Sequence, residues 1–157
     1  MVRRKIKKKL KITPDPLYNS ELAAKFINNL MHDGKKSVAR REFYNALEEI
    51  KKIAKTEEPL AIFEEAIKNV SPSLEVRSRR VGGANYQVPR EVRKERAMAL
   101  AIRWILNAVR SGKGAPVSEK LAKELVLAFK NEGAAIKKKD DTHKMAEANR
   151  AFAHFAW

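Results

Sequence analysis

The residues of this 157-residue chain that could do chemistry are mostly cations, and they fall into groups. Arg3, Arg4, Lys5, Lys7, Lys8, Lys9 and Lys11 crowd the first 12 residues with no acid among them. Arg77, Arg79 and Arg80 form a second group, and Arg93, Lys94 and Arg96 a third. Lys35 and Lys36 follow Gly34 at what reads as a helix start, where backbone N–H groups also favour phosphate. Guanidinium and ammonium groups at this density are the chemistry of polyanion binding. The total agrees: 34 Lys and Arg against 19 Asp and Glu leave a net charge of +15. The first 12 residues hold +7 of it, so the other 145 carry only +8.

Other chemistries find no support. The chain has no cysteine, which excludes a disulfide framework, a thiolate nucleophile and a cysteine-ligated zinc or iron–sulfur site. Gly34-Lys35-Lys36-Ser37 faintly resembles a phosphate-binding loop, but Asn29 stands where the first glycine belongs and no strand leads in. His32 is isolated, and His143 and His154 would sit about 16 Å apart on one helix. Asp140-Asp141-Thr142-His143 reads as acids near a helix start, not as a catalytic set. No glycine-rich nucleotide fingerprint occurs. No cofactor is expected, and no enzymatic activity. Apolar runs such as Leu125 to Ala128 fall far short of the ~20 residues that span a bilayer. The basic N-terminus lacks the apolar stretch of a secretory signal.

The elements that must position the cations read as follows. Residues 1–16 are a basic arm ending in the extended linker Thr13-Pro14-Asp15-Pro16. The arm is either a solvated tail or a segment that lies along phosphates, with a reach on the order of 40 Å when extended. Asn19 or Ser20 caps a first helix with Leu22, Phe26, Ile27, Leu30 and Met31 on its face. A second helix buries Val38, Phe43, Leu47, Ile50 and Ile53. Pro59 opens a third, with Leu60, Phe63, Ile67 and Val70 inside. Residues 73–89 then switch to a β-hairpin about Gly82-Gly83, ended by Pro89. Its register sets Val81 opposite Ala84, Arg79 opposite Tyr86 and Arg77 opposite Val88 on one face. Val76, Ser78 and Arg80 share the other face with Asn85 and Gln87. Neither face is cleanly apolar, so the hairpin should project as an arginine-rich finger that something else must order.

From about Glu91 to Val109 a fourth helix buries Ala97, Leu100, Ala101, Trp104, Ile105 and Ala108. Arg93, Arg96, Arg103 and Arg110 lie within an arc of roughly 100° beside that face, either a solvated surface or a stripe for the polyanion. Val117, Leu121, Leu125 and Ala128 mark a fifth helix, broken at Gly133. A final helix runs from about Ala135 with Met145, Ala148, Phe152 and Phe155 on one side. The fold class is therefore mainly α: a single domain, six helices in a bundle-like body, a protruding hairpin and a basic tail.

These residues also form blocks with a known likeness. Asp15-Pro16, then Ala24 to Asn28, Met31 to Ala39, Leu74 to Ala84 continuing through Tyr86 to Pro89, Ala99 to Trp104 and Asp141 to His154 together resemble the bacterial small-subunit ribosomal protein seven family. The likeness covers essentially the whole chain; Arg41-Glu42-Phe43 departs from it, where an apolar pair is usual. The resemblance implies a cytoplasmic ribosomal protein, monomeric within the ribosome, that binds the 3′ major (head) domain of small-subunit ribosomal RNA and nucleates head assembly. It implies proximity to exit-site transfer RNA and the messenger path at Arg79, Arg80, Gly82, Gly83, Tyr86 and His143. It also implies contact with small-subunit protein eleven and other head proteins, and in several members repression of their own messenger. Carried onto this chain, the RNA-binding residues are Arg3 to Lys11 of the arm, Lys35, Lys36, Arg77, Arg79, Arg80, Arg93, Lys94 and Arg96. Phe152, Phe155 and Trp157 either pack back onto the bundle or dock a protein partner. The alternative reading, a free-standing helical DNA-binding or nucleoid protein, shares the charge and the helices.

Overall fold

A computed structural model of the chain describes residues 12–155. The arm cations Arg3 to Lys11, and Trp157, lie outside the described residues. The helices are α1 (Glu21–Leu30), α2 (Lys36–Ala54), α3 (Pro59–Val70), α4 (Lys94–Ser111), α5 (Val117–Phe129) and α6 (Ala134–Ala148). Strands β1 (Leu74–Val81) and β2 (Ala84–Glu91) form one antiparallel hairpin between α3 and α4, and a 3-10 helix, Arg150–Phe155, follows α6.

The body forms around α5, which packs against α2, α3 and α4. Leu121, Ala122, Leu125 and Ala128 of α5 are fully buried, as their i, i+4 and i+7 spacing requires. Beside them Phe26, Phe43 and Phe63 meet with ring centroids 5.2–5.5 Å apart, joining α1, α2 and α3. The second helix turns slightly away from the expected face. Ala39 and Ala46 are buried in place of Val38 and Ile53, which are 43% and 48% exposed. Small residues there let α2 approach its neighbours closely, so the larger ends are left outside. In α4 the inner face is Ile102, Leu106 and Val109 besides Ala97, Leu100, Ala101 and Ile105, while Trp104 only flanks the core.

The linker is anchored where the body begins. Ser20 Oγ accepts from Ala23 N–H at 3.3 Å and caps α1, which decides between the two candidate caps. Asp15, only 3% exposed, accepts from Tyr44 Oη at 2.8 and 2.9 Å and from the backbone N–H groups of Leu17 and Tyr18. A buried carboxylate needs such partners. Burial, then the hydrogen bond and charge of Asp15, push the Tyr44 phenol up to about 12. Because the folded value lies above the ordinary one near 10, this contribution to stability is whole below pH 10 and is lost as pH rises through 12. Ultraviolet titration of the folded protein should show a phenol ionising near 12 that Tyr44→Phe removes.

Two boundaries differ from expectation. Pro89 does not end the ribbon: it pairs with Val76 inside β2, which runs on to Glu91. A two-stranded ribbon is all edge, where proline is tolerated. The last helix does not reach Phe155. At Asn149 the backbone N–H and the side-chain amide both turn to Met145 O, at 3.2 and 2.8 Å, and Phe152 N–H bonds Asn149 O at 2.9 Å. The chain therefore tightens into 3-10 geometry, in which residues i and i+3 eclipse. Met145 and Ala148 are exposed, and Thr142 and Ala146 are buried instead.

Candidate nucleic-acid interface

The hairpin takes the register read from its sequence: Val81 pairs with Ala84, Arg79 with Tyr86 and Arg77 with Val88. Gly82 and Gly83 have φ of 57° and 90°, the left-handed pair that a two-residue type I′ turn demands. The tip, from Gly82 to Asn85, is exposed, as is Arg80. The root, however, is packed. Val88 and Pro89 are buried, and α6 lies against both strands. His143 of α6 accepts from Ser73 N–H through Nε2 at 3.2 Å.

What orders the outer half of the hairpin is the chain's own C-terminal segment. Because 3-10 geometry puts Phe152 and Phe155 on one side, both rings reach Tyr86, with centroids 5.2 and 5.3 Å away. Arg79 Nη1 donates to Phe155 O at 2.7 Å. These aromatics thus pack on the hairpin and not on the helical body. Aromatic pairs contribute roughly 0.5–1.5 kcal/mol each beyond buried area. Phe152→Ala with Phe155→Ala should raise amide exchange in β1 and β2 about tenfold or more. The melting temperature should fall by only a few degrees, since the body does not rest on this contact.

The arginines at the hairpin root meet those at the start of α4. Glu75, 8% exposed, accepts from Arg77 Nε at 2.7 Å and lies 2.6 Å from Arg77 Nη2, both at Oε1; Arg96 Nε donates to Oε2 at 3.3 Å. Sequence reading did not single out Glu75. Its signal was present: the lone acid between Leu74 and Val81, two residues from Arg77 and therefore on the same strand face.

Helix α4 carries the basic surface onward. Arg93, Arg96, Arg103 and Arg110 are all exposed along it. Its 18 residues make it about 27 Å long. At its far end Arg110 donates to the carbonyls of Asn29 and Leu30, at 3.3 and 3.5 Å, satisfying groups at the α1 C-terminus. There it shares an apolar groove with Lys35, His32, Val38 and Val117. Lys35 and Lys36 stand exposed at the start of α2, whose first turn has neither an acid nor a side-chain cap. The stripe therefore links two basic sites, the hairpin root and the α1–α2 turn. Arg96 and Arg110 spend part of their donor capacity inside the protein.

Among the described residues no group of three His, Cys, Asp or Glu is placed to hold a metal ion. No helix there is long and apolar enough to cross a membrane.

Comparison with known proteins identifies the family. A family model described as ribosomal protein S7p/S5e matches residues 2–150. The small ribosomal subunit protein uS7 of Desulfotalea psychrophila is 58% identical over 157 residues, covering all of both chains. That of Thermotoga neapolitana is 54% identical over 156 residues, covering 99% of this chain and all of its own. That of Rhodopirellula baltica is 60% identical over 144 residues, 91% of this chain and 92% of its own. With the hairpin, the arginine stripe and full-length identity of this order in hand, the chain belongs to the ribosomal protein S7p/S5e family.

Proposed function

We propose that this protein is a structural, non-catalytic constituent of the small ribosomal subunit in the cytoplasm, where it clamps folded ribosomal RNA at several points. The observation that carries this reading is the row of exposed cations that starts at the hairpin, follows about 27 Å of α4 through Arg93, Arg96, Arg103 and Arg110, and ends beside Lys35 and Lys36. Structured RNA is held mainly by phosphate, shape and 2′-OH contacts, so little sequence reading is expected. The RNA in this reading, taken from the resemblance to the ribosomal protein seven family, is the 3′ major domain of the small-subunit molecule, with nucleation of head assembly as the consequence of binding it early.

In the same reading Arg79, Arg80 and the exposed tip from Gly82 to Asn85 face exit-site transfer RNA and the messenger path, with Tyr86 and His143 behind them. Small-subunit protein eleven and other head proteins adjoin the C-terminal segment around Phe152 and Phe155, and the messenger of the protein itself is a second RNA ligand through which it represses its own synthesis. The direct test is binding of the full chain to a transcript of the 3′ major domain, with duplex DNA as competitor. RNA should be retained against a large excess of DNA; equal competition would identify a nucleoid protein instead.

A further inference from the structure

We infer that Glu75 is a positioning residue for RNA binding: its buried carboxylate holds Arg77 of β1 and Arg96 of α4 as one two-pronged phosphate clamp. The inference rests on the proposed RNA-binding function. Three observations carry it. First, one carboxylate serves two elements, with Oε1 on Arg77 and Oε2 on Arg96, so it fixes the hairpin root relative to the helix. Second, the acid side chain is 11% exposed, whereas those of Arg77 and Arg96 are 55% and 43% exposed. The anion is inside and the cations face outward. Third, the bonds to Glu75 use Nε and Nη2 of Arg77 and Nε alone of Arg96. Nη1 of Arg77 and both Nη groups of Arg96 remain for an incoming anion, and a guanidinium presents such an edge to phosphate in bidentate fashion.

Without the carboxylate, two like charges at the root would repel and sample many rotamers. Binding would then have to restore both the order and the spacing. The acid adds negative charge beside a polyanion site, yet positioning should outweigh that screened repulsion, because the arginines lie between it and the ligand.

The two accounts predict opposite signs for Glu75→Gln, measured with the full chain and the 3′ major domain transcript at fixed salt. If Glu75 acts only through its charge, removing it tightens binding. If it positions the clamp, affinity falls about tenfold although the net charge becomes more positive. A second variant, Arg77→Lys with Arg96→Lys, preserves every charge and loses the forks; it should also bind about tenfold more weakly, with an unchanged salt slope. In that background Glu75→Gln should cost little more. Circular dichroism establishes that each variant is folded, and if Glu75→Gln is not, the lysine variant decides. Binding by folded Glu75→Gln that is equal to or tighter than wild type, or wild-type binding by the lysine variant, overturns the inference. Failure of the unaltered chain to bind the transcript would instead overturn the functional reading beneath it.

Discussion

Deleting residues 1–12 should weaken binding to small-subunit ribosomal RNA more than any point substitution, and should flatten its salt dependence. The deleted stretch holds seven cations and no acid, close to half of the net +15. If about seven to nine cations in the whole protein meet phosphates, affinity falls by roughly 10³ to 10⁵ between 50 and 200 mM salt. Each contact contributes roughly 0.9 to the log–log slope, so loss of the arm should lower the slope by about three to six. The body should stay folded, because the anchor of the linker is Asp15, beyond the deletion. An unchanged slope would mean that the arm is a solvated tail.

The second large effect belongs to the hairpin. Changing Arg77, Arg79 and Arg80 together to Ala should cost roughly a hundredfold or more in affinity, at about 1 kcal/mol or more per arginine contact. The three positions are not equivalent, and this alters what the triple change measures. Arg77 neutralises buried Glu75, and Arg79 holds the carbonyl of Phe155. Removing them also loosens the hairpin, so the melting temperature should drop as well. Arg80 is exposed near the tip, opposite Asn85. Arg80→Ala alone should therefore weaken RNA binding about five- to tenfold with the melting temperature unchanged. If binding survives while stability collapses in the triple variant, the hairpin is a structural element only.

Much of this was legible in the chain itself, and the exceptions have physical causes. The ribbon register followed from Gly82-Gly83, because only a turn with two positive φ values satisfies both the pair and the flanking alternation. The apolar stripes of α1, α3 and α5 followed from the 3.6-residue period, except that Val117 in the first turn of α5 is 39% exposed. In α2 the same logic chose Val38 and Ile53, because side-chain size was taken as a guide to burial; close helix packing favoured Ala39 and Ala46. The end of α6 was missed because a single asparagine, Asn149, redirects the hydrogen bonding, and nothing in the hydrophobic period marks it.

The functional site divides in the same way. Cation groups were visible as groups, and the α4 stripe was visible as starting at the root of the hairpin, but its meeting with Lys35 and Lys36 was not, since that depends on which loop the far end of α4 reaches. The acids that organise the site were harder still. Asp15 reaches Tyr44, 29 residues away, and Glu75 reaches Arg96, 21 residues away. Such pairings are set by tertiary contact, and an acid in a basic chain reads at first only as a deduction from net charge.

The central claim is that the basic surface grips folded small-subunit ribosomal RNA. Its most direct test is to sediment ribosomal subunits in low salt, then in a series of rising salt concentrations, and follow this protein. It should travel with the small subunit at low salt and leave it steeply as the salt is raised, because many phosphate contacts are weakened together. Recovery at the top of the gradient already at low salt, or with chromosomal DNA, would contradict the account.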